Sequence, residues 1–164
     1  MITEAVFWPV LLSTIVVAAA IIDYRTFTIS NKFPMAIAGL FVLYWAISGF
    51  SLGILGASLL SAAAAFVVAL ALYVFRVMGG GDVKLLAALA LWFTPVNLLP
   101  FFFWIAITGG VIGAGFLLYH MIKIRGLEAN TSGEAIQKSA LKQRVPYGPA
   151  IAAGFILACT VAGV

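Results

Sequence analysis

The sequence predicts an all-α, polytopic membrane protein in which six transmembrane helices cross the bilayer. Of its 164 residues, 65% are hydrophobic and only 9% are charged, whereas soluble domains carry about 25% charged residues. The mean hydropathy is +1.20. A helix pairs all of its backbone polar groups internally, so it is the element expected for long apolar runs in lipid. Six such runs follow one another, separated by short polar or Gly/Pro-containing breaks, at 5–22, 33–50, 52–75, 84–95, 97–119 and 146–164.

The chain length leaves little room for anything besides these helices. Six spans of about 20 residues each use most of the chain, so we expect residues 1–164 to form a single membrane-embedded domain. Residues 1–4 lack the basic region of a secretory signal, and no cleavage site separates them from the first apolar run. The first helix is therefore expected to be retained.

The basic residues predict which helix ends face the cytoplasm. All nine lysines and arginines fall within or at the edge of three alternate breaks, after the first, third and fifth runs. By the positive-inside rule these breaks are cytoplasmic, and both termini lie on the non-cytoplasmic side. The four tryptophans map toward the opposite helix ends, as an interfacial belt would: Trp8, Trp45, Trp92 and Trp104.

The fourth run fits this topology least well, because residues 83–93 are short for a transmembrane span. A re-entrant hairpin is the alternative, but it would put Lys84 and Lys123 on opposite faces and break the charge asymmetry. The shortness also fits a segment 79–82 that is recessed below the inner headgroups. Between the last two runs, residues 120–145 form the only sizeable aqueous segment. They fit either a short interfacial helix that starts at a capping box over 131–134 or a solvated basic loop.

Two aspartates, Asp23 and Asp82, are the strongest functional candidates. The chain contains no others, and each lies where an apolar run meets basic residues. Acidic residues at membrane depth are costly and usually face a functional cavity. The predicted topology puts both at cytoplasmic helix ends, where they can meet. Two close carboxyls share a proton, so one can activate water while the other donates, which is the chemistry of aspartic peptide hydrolysis.

Other functions remain open for a pair of membrane carboxylates. A small proton- or cation-coupled transporter is the main alternative, although inverted repeats and broken mid-membrane helices are missing. An intramembrane protease that cuts within substrate helices shares the same dyad. His120 is expected to be an interfacial residue and Cys159 an apolar packing residue, so neither suggests a metal site.

The glycines before Asp82 add to the functional interpretation. Side-chain-free backbone at Gly79, Gly80 and Gly81 allows an extended substrate segment to lie against the loop and places the carboxylate at a helix N-terminus. A plain turn between helices is the alternative. Lys84 lies two residues after Asp82, so the two do not share a helical face. Lys84 is therefore expected to reach headgroups or cytosol.

Three stretches together resemble the type IV prepilin peptidases, which are membrane aspartic proteases of the GxGD type. Residues 23–31, Asp-Tyr-Arg-Thr-Phe-Thr-Ile-Ser-Asn, resemble the first-aspartate motif of that family, although Ser30 stands where many members have proline. Residues 79–84, Gly-Gly-Gly-Asp-Val-Lys, are similar to the GxGD motif with its trailing lysine. Residues 145–149, Val-Pro-Tyr-Gly-Pro, are similar to the Pro-aromatic-Gly-Pro sequence that opens the final helix.

The resemblance implies that Asp23 and Asp82 are catalytic. It implies removal of a basic leader peptide from a prepilin or pseudopilin, just before its hydrophobic helix, at the cytoplasmic face of the bacterial inner membrane. The residues expected to support catalysis or bind substrate are those at motif positions: Gly79, Gly80, Gly81, Lys84, Asn31, Pro146, Tyr147 and Gly148. Three of these have simpler alternatives, because Asn31 can cap the second helix, Pro146 can start the last one and Tyr147 can anchor at the interface.

The resemblance also bears on the activity and its partners. Large members of the family carry an N-terminal cytoplasmic region with paired cysteines that is linked to methylation of the new N-terminus. This chain shows no such region, so it resembles the short forms that serve Flp (tight-adherence) pili, or their archaeal preflagellin relatives. We expect peptidase activity without methyltransferase activity. The expected partners are the prepilin, membrane lipids and pilus assembly machinery; no nucleic acid, cofactor or metal is expected.

Overall fold

The structure is a computed structural model that describes residues 2–127 and 147–162. All regular elements in these two ranges are helical, which confirms the all-α prediction. Pro146 and the capping-box helix predicted from residue 131 lie outside the described residues. The helices are α1 (Ile2–Thr26), α2 (Lys32–Ile47), α3 (Leu52–Val74), α4 (Gly80–Ala90), α5 (Leu98–Leu127) and α6 (Gly148–Ala162), with a short 3₁₀ helix (Pro95–Asn97) between α4 and α5.

Three helical segments among the described residues are long and apolar enough to cross a membrane: Val6–Thr26, Leu52–Val74 and Pro95–Phe116. The helices α2 and α6 are apolar but shorter, with 16 and 15 residues. With 11 residues, α4 extends only about 17 Å, little more than half of a hydrocarbon core of about 30 Å. Six crossings and the sidedness of the termini therefore stay predictions.

The short helix α4 lies inside the bundle. Seven of its 11 residues are buried, including Leu85, Leu86 and Leu89, and it packs mainly against α3 and α2. A helix that is apolar on most of its surface is stable when other helices surround it. Packing against the surrounding helices therefore explains how α4, which carries Asp82 and is too short to span the bilayer, is stable.

The last helix, α6, packs between α5 and α1. At its contact with α5, a Cβ atom added to Gly154 would lie only 2.6 Å from Cα of Ile105. Close to this crossing, the Thr108 hydroxyl donates a 2.8 Å hydrogen bond to the carbonyl of Ala150. Small residues and interhelical hydrogen bonds are the usual means by which helices associate closely in lipid. Through these contacts α5 sets the position of the N-terminal turn of α6.

An aromatic cluster marks the end of the bundle far from the two aspartates. The ring centroids of Trp8 and Trp92 are 5.4 Å apart, and each also contacts the ring of Tyr44. Asp23 lies 15 positions after Trp8 along α1, about 22 Å at the α-helical rise. The aspartates and the cluster therefore lie at opposite ends of α1.

Candidate active site

Asp82 lies in the first turn of α4 and is bonded to the residue that precedes this helix. The backbone N–H of Gly79 donates to Oδ2 of Asp82 at 2.8 Å, and the carbonyl of Gly79 accepts from the Asp82 N–H at 3.1 Å. Carboxylates are favoured in this position because they satisfy a free N–H and face the positive end of the helix dipole. The first turn of α4 therefore holds one carboxyl oxygen in place.

The other oxygen of Asp82 has no such restraint. The residue is only 6% exposed, and Oδ1 is buried without a hydrogen-bond partner among the described residues. Buried polar atoms are nearly always paired, so an unpaired one requires an explanation. An oxygen that exchanges a proton with a substrate or a water molecule provides one.

Asp23 lies in the last turns of α1 and is bonded to the start of α6. It is 5% exposed, and its Oδ2 accepts a 2.8 Å hydrogen bond from the backbone N–H of Gly148. Gly148 is the first residue of α6, where backbone N–H groups have no partner within the helix. The bond therefore uses a free helix donor to tie together two segments 125 residues apart.

The charge of Asp23 acts on the carboxyl of Asp82, although the two residues lie on different helices. Asp82 lies outside the three segments that are long enough to span the membrane. Burial raises the pKa of its carboxyl to about 6, the hydrogen bond from Gly79 acts in the opposite direction, and the negative charge of Asp23 raises the pKa further. Asp23 in α1 is therefore close enough for its charge to act on the carboxyl of Asp82 in α4.

Tyr147 lies beside the same pair, directly before α6. It is partly buried, and burial followed by the negative charge of Asp82 raises the pKa of its hydroxyl. The next residue, Gly148, donates to Asp23. Residues 147 and 148 therefore contribute to the surroundings of both carboxyls.

The glycines before Asp82 also serve internal packing, which the sequence did not indicate. A Cβ atom on Gly81 would lie 3.0 Å from both Cβ and the backbone oxygen of Ile29, and one on Gly79 would lie 3.1 Å from Oδ2 of Asp82. At Gly80 the same atom would make only an ordinary 3.6 Å contact with Tyr73. The connection between α1 and α2 thus packs directly on the start of α4, so Ile29 is a residue of the site that sequence reasoning missed.

Lys84 and Asn31 form a second link between these segments. Nζ of Lys84 donates to Oδ1 of Asn31 at 3.0 Å, on the exposed side of the site. Asn31 directly precedes α2, but its side chain makes no capping hydrogen bond, so the capping alternative is not observed. The pair joins the first turn of α4 to the connection between α1 and α2. No group of three or more His, Cys, Asp or Glu residues suited to a metal ion occurs in the described ranges.

Comparison with known proteins identifies one family. The sequence profile of the type IV leader peptidase family matches residues 10–114, well over half of the chain. This range includes Asp23, Asp82 and the connection between α1 and α2, and it ends before Tyr147 and Gly148. No curated protein and no solved structure matches the chain.

Proposed function

We propose that this chain, which belongs to the type IV leader peptidase family, is an aspartic endopeptidase whose catalytic pair is Asp23 and Asp82. The main support for this proposal is that two buried carboxyls from segments far apart in the sequence interact at one site. Each has one oxygen bound by a glycine N–H, from Gly148 and Gly79 respectively. This arrangement orients both carboxyls and leaves Oδ1 of Asp82 available for proton exchange.

In the proposed hydrolysis, the two carboxyls start with one proton between them, which is bound to Asp82. Asp23 accepts a proton from a water molecule, whose oxygen attacks the carbonyl carbon of the scissile peptide, while protonated Asp82 donates to the carbonyl oxygen. The tetrahedral intermediate then collapses as the C–N bond breaks, and the leaving amine takes the proton that Asp23 holds. As the carboxylic acid forms, the proton that Asp82 gave to the carbonyl oxygen returns to Asp82. Water is consumed, and both carboxyls regain their starting states.

The cleavage rate is expected to fall as the pH rises through about 6, because the pKa of Asp82 is raised to about 6 and the mechanism requires its protonated form. Above this value the protonated fraction falls about tenfold per pH unit. The measurement is kcat/KM of the purified enzyme on a leader peptide between about pH 5 and about pH 8, with helical circular dichroism to check that the fold is unchanged. A rate that rises steadily across this range would contradict the assignment of the proton to Asp82.

The proposed substrate is a prepilin or pseudopilin that presents its basic leader at the cytoplasmic face of the inner membrane. In its support, Arg25, Lys32, Arg76 and Lys84 all belong to the end of the bundle that carries the aspartates. Basic residues favour the cytoplasmic side. Such a substrate places its scissile bond just before an apolar helix, at the same end of the membrane. From the resemblance to short family members, we propose that no N-methylation accompanies cleavage.

Co-expression with candidate small pilins tests the proposed function. We expect the intact mass of one pilin to decrease by that of its leader when this chain is present in a host without its own prepilin peptidase. N-terminal sequencing should place the cut before the hydrophobic helix, and the new N-terminus should lack a methyl group. A cut within the helix would favour an intramembrane protease, and unprocessed pilins throughout would overturn the proposal.

Replacement of Gly148 by alanine is expected to reduce cleavage by about ten- to a hundredfold. The added Cβ would lie 2.8 Å from Cβ and 2.9 Å from Oδ2 of Asp23, so the carboxyl has to move, and small misplacements of catalytic groups have effects of this size. The measurement is kcat/KM on a leader peptide. Gly113→Ala on α5 is the matched control, since nothing lies within 4 Å of the added atom. Equal rates for G148A and the wild type would contradict the role of this contact.

A further inference from the structure

Two backbone N–H groups at the start of α4 are unpaired within the part of the chain that the structure describes. The first four N–H groups of an α-helix have no acceptor in the helix itself, and in α4 they belong to residues 79–82. The N–H of Gly79 donates to Oδ2 of Asp82, and the N–H of Asp82 donates to the carbonyl of Gly79. From the remaining two, Gly80 and Gly81, no residue in 2–127 or 147–162 accepts a hydrogen bond. Gly80 is exposed and Gly81 is partly exposed, so a ligand can reach this turn.

An unpaired carboxyl oxygen belongs to the same helical turn. Oδ2 of Asp82 is bound to the residue directly before Gly80, and Oδ1 is part of the same carboxyl group. Oδ1 is buried and has no partner in the described ranges, although the residue is only 6% exposed. Because buried polar atoms are normally paired, this oxygen points to a ligand atom at the N-terminus of α4. The two free N–H groups lie in that turn as well.

We propose that the N–H groups of Gly80 and Gly81 bind the carbonyl oxygen of the scissile peptide, an inference that rests on the proposed function. In the proposed hydrolysis this oxygen gains negative charge as water attacks, and it takes the proton of Asp82. Asp82 has to contact the oxygen to protonate it, which brings the oxygen to the turn that carries both N–H groups. The positive end of the α4 dipole favours the same negative charge.

In this role the two donors stabilise the transition state more than the bound substrate. Fixed N–H groups bind a carbonyl oxygen more strongly when it carries negative charge than when it is neutral, so they lower the barrier. Both N–H groups keep their protons throughout. After Asp82 has protonated the oxygen, two lone pairs remain on it, one for each N–H. The absence of side chains at Gly80 and Gly81 lets the substrate backbone approach these donors.

Gly80→Pro tests the inference because it removes one donor at a position where proline suits the helix. Proline is favoured as the first helical residue and requires an extended residue before it; Gly79 has a φ of −82° and a ψ of 155°. The reference is Gly80→Ala, which keeps the N–H and adds a Cβ atom 3.6 Å from Tyr73, an ordinary contact. We expect kcat on a leader peptide to be about a hundredfold lower for G80P than for G80A, with a similar KM.

A second variant removes the same N–H without adding a proline ring. Lactic acid incorporated at position 80 has the methyl group of alanine, but an ester oxygen replaces the N–H. Its kcat should also be about a hundredfold below that of G80A. Leu52→Pro is the matched control for proline at a helix start, since Leu52 is the first residue of α3 and is 78% exposed, at the end of the bundle away from the aspartates. This control should cleave at the wild-type rate.

The results separate this inference from the proposed function. If the wild type cleaves no leader peptide, the proposed function fails. If the wild type cleaves it and the ester variant has the same kcat as G80A, only the assignment of the N–H groups is overturned. The same holds if the ester variant differs from G80A in KM alone, because a contact made mainly in the transition state acts on kcat. Helical circular dichroism confirms that each variant compared is folded.

Discussion

Replacement of Asp82 by asparagine is expected to abolish leader cleavage, with a loss of at least about a thousandfold. The amide cannot hold the exchangeable proton that the mechanism assigns to this side chain. It has nearly the same shape, and its oxygen can still accept the N–H of Gly79, which bonds to Oδ2 in the native protein. The start of α4 should therefore be retained. The measurement is the gel shift of co-expressed prepilin, with the amount of enzyme in the membrane fraction determined in parallel.

Asp23→Asn is expected to have the same effect, because the base that activates water is lost. The double variant should be no slower than either single variant, since the two carboxyls act as a unit. Glu134→Gln removes an acidic charge outside the motifs and serves as the control with normal processing. Normal processing by either aspartate variant would show that the pair is not catalytic and would reopen the transporter interpretation.

Replacement of Gly154 by alanine is expected to destabilise the protein by about 2 to 3 kcal/mol, the upper part of the range for overpacked interiors. The added Cβ would lie 2.6 Å from Cα and 2.8 Å from the backbone nitrogen of Ile105. Backbone atoms cannot rotate away, so α5 and α6 have to separate. Because α6 also supplies the Gly148 N–H that binds Asp23, the cleavage rate should fall as well.

Thermal unfolding in detergent, followed by helical circular dichroism, measures this effect. The matched control is Gly110→Ala on α5, where nothing lies within 4 Å of an added Cβ. Alanine is preferred over glycine in helix interiors, so this variant should be neutral or slightly stabilised. If G154A were as stable as G110A, the close approach of the two helices would be contradicted.

The sequence predicted most helices because hydropathy is a local property. The runs at 5–22 and 52–75 correspond closely to α1 and α3. The fourth run was recognised as short, but its position at 84–95 differs from that of α4, Gly80–Ala90. The helix begins with the glycines, because the N–H of Gly79 is paired with the Asp82 carboxylate. The first turn of α4 contains small and polar residues with low hydropathy, so the apolar run in the sequence starts later than the helix does.

By itself the sequence determined that the protein is a helical membrane protein. It also singled out the two aspartates as the candidate functional residues, since composition and isolated charges can be read along the chain. Only the tertiary structure decided which backbone groups hold these carboxyls and how close the segments come. The Gly148 N–H bound to Asp23, the contact of Gly81 with Ile29, and the hydrogen bond between Lys84 and Asn31 all join residues far apart in sequence. Such contacts depend on how whole helices pack, and no local pattern specifies them.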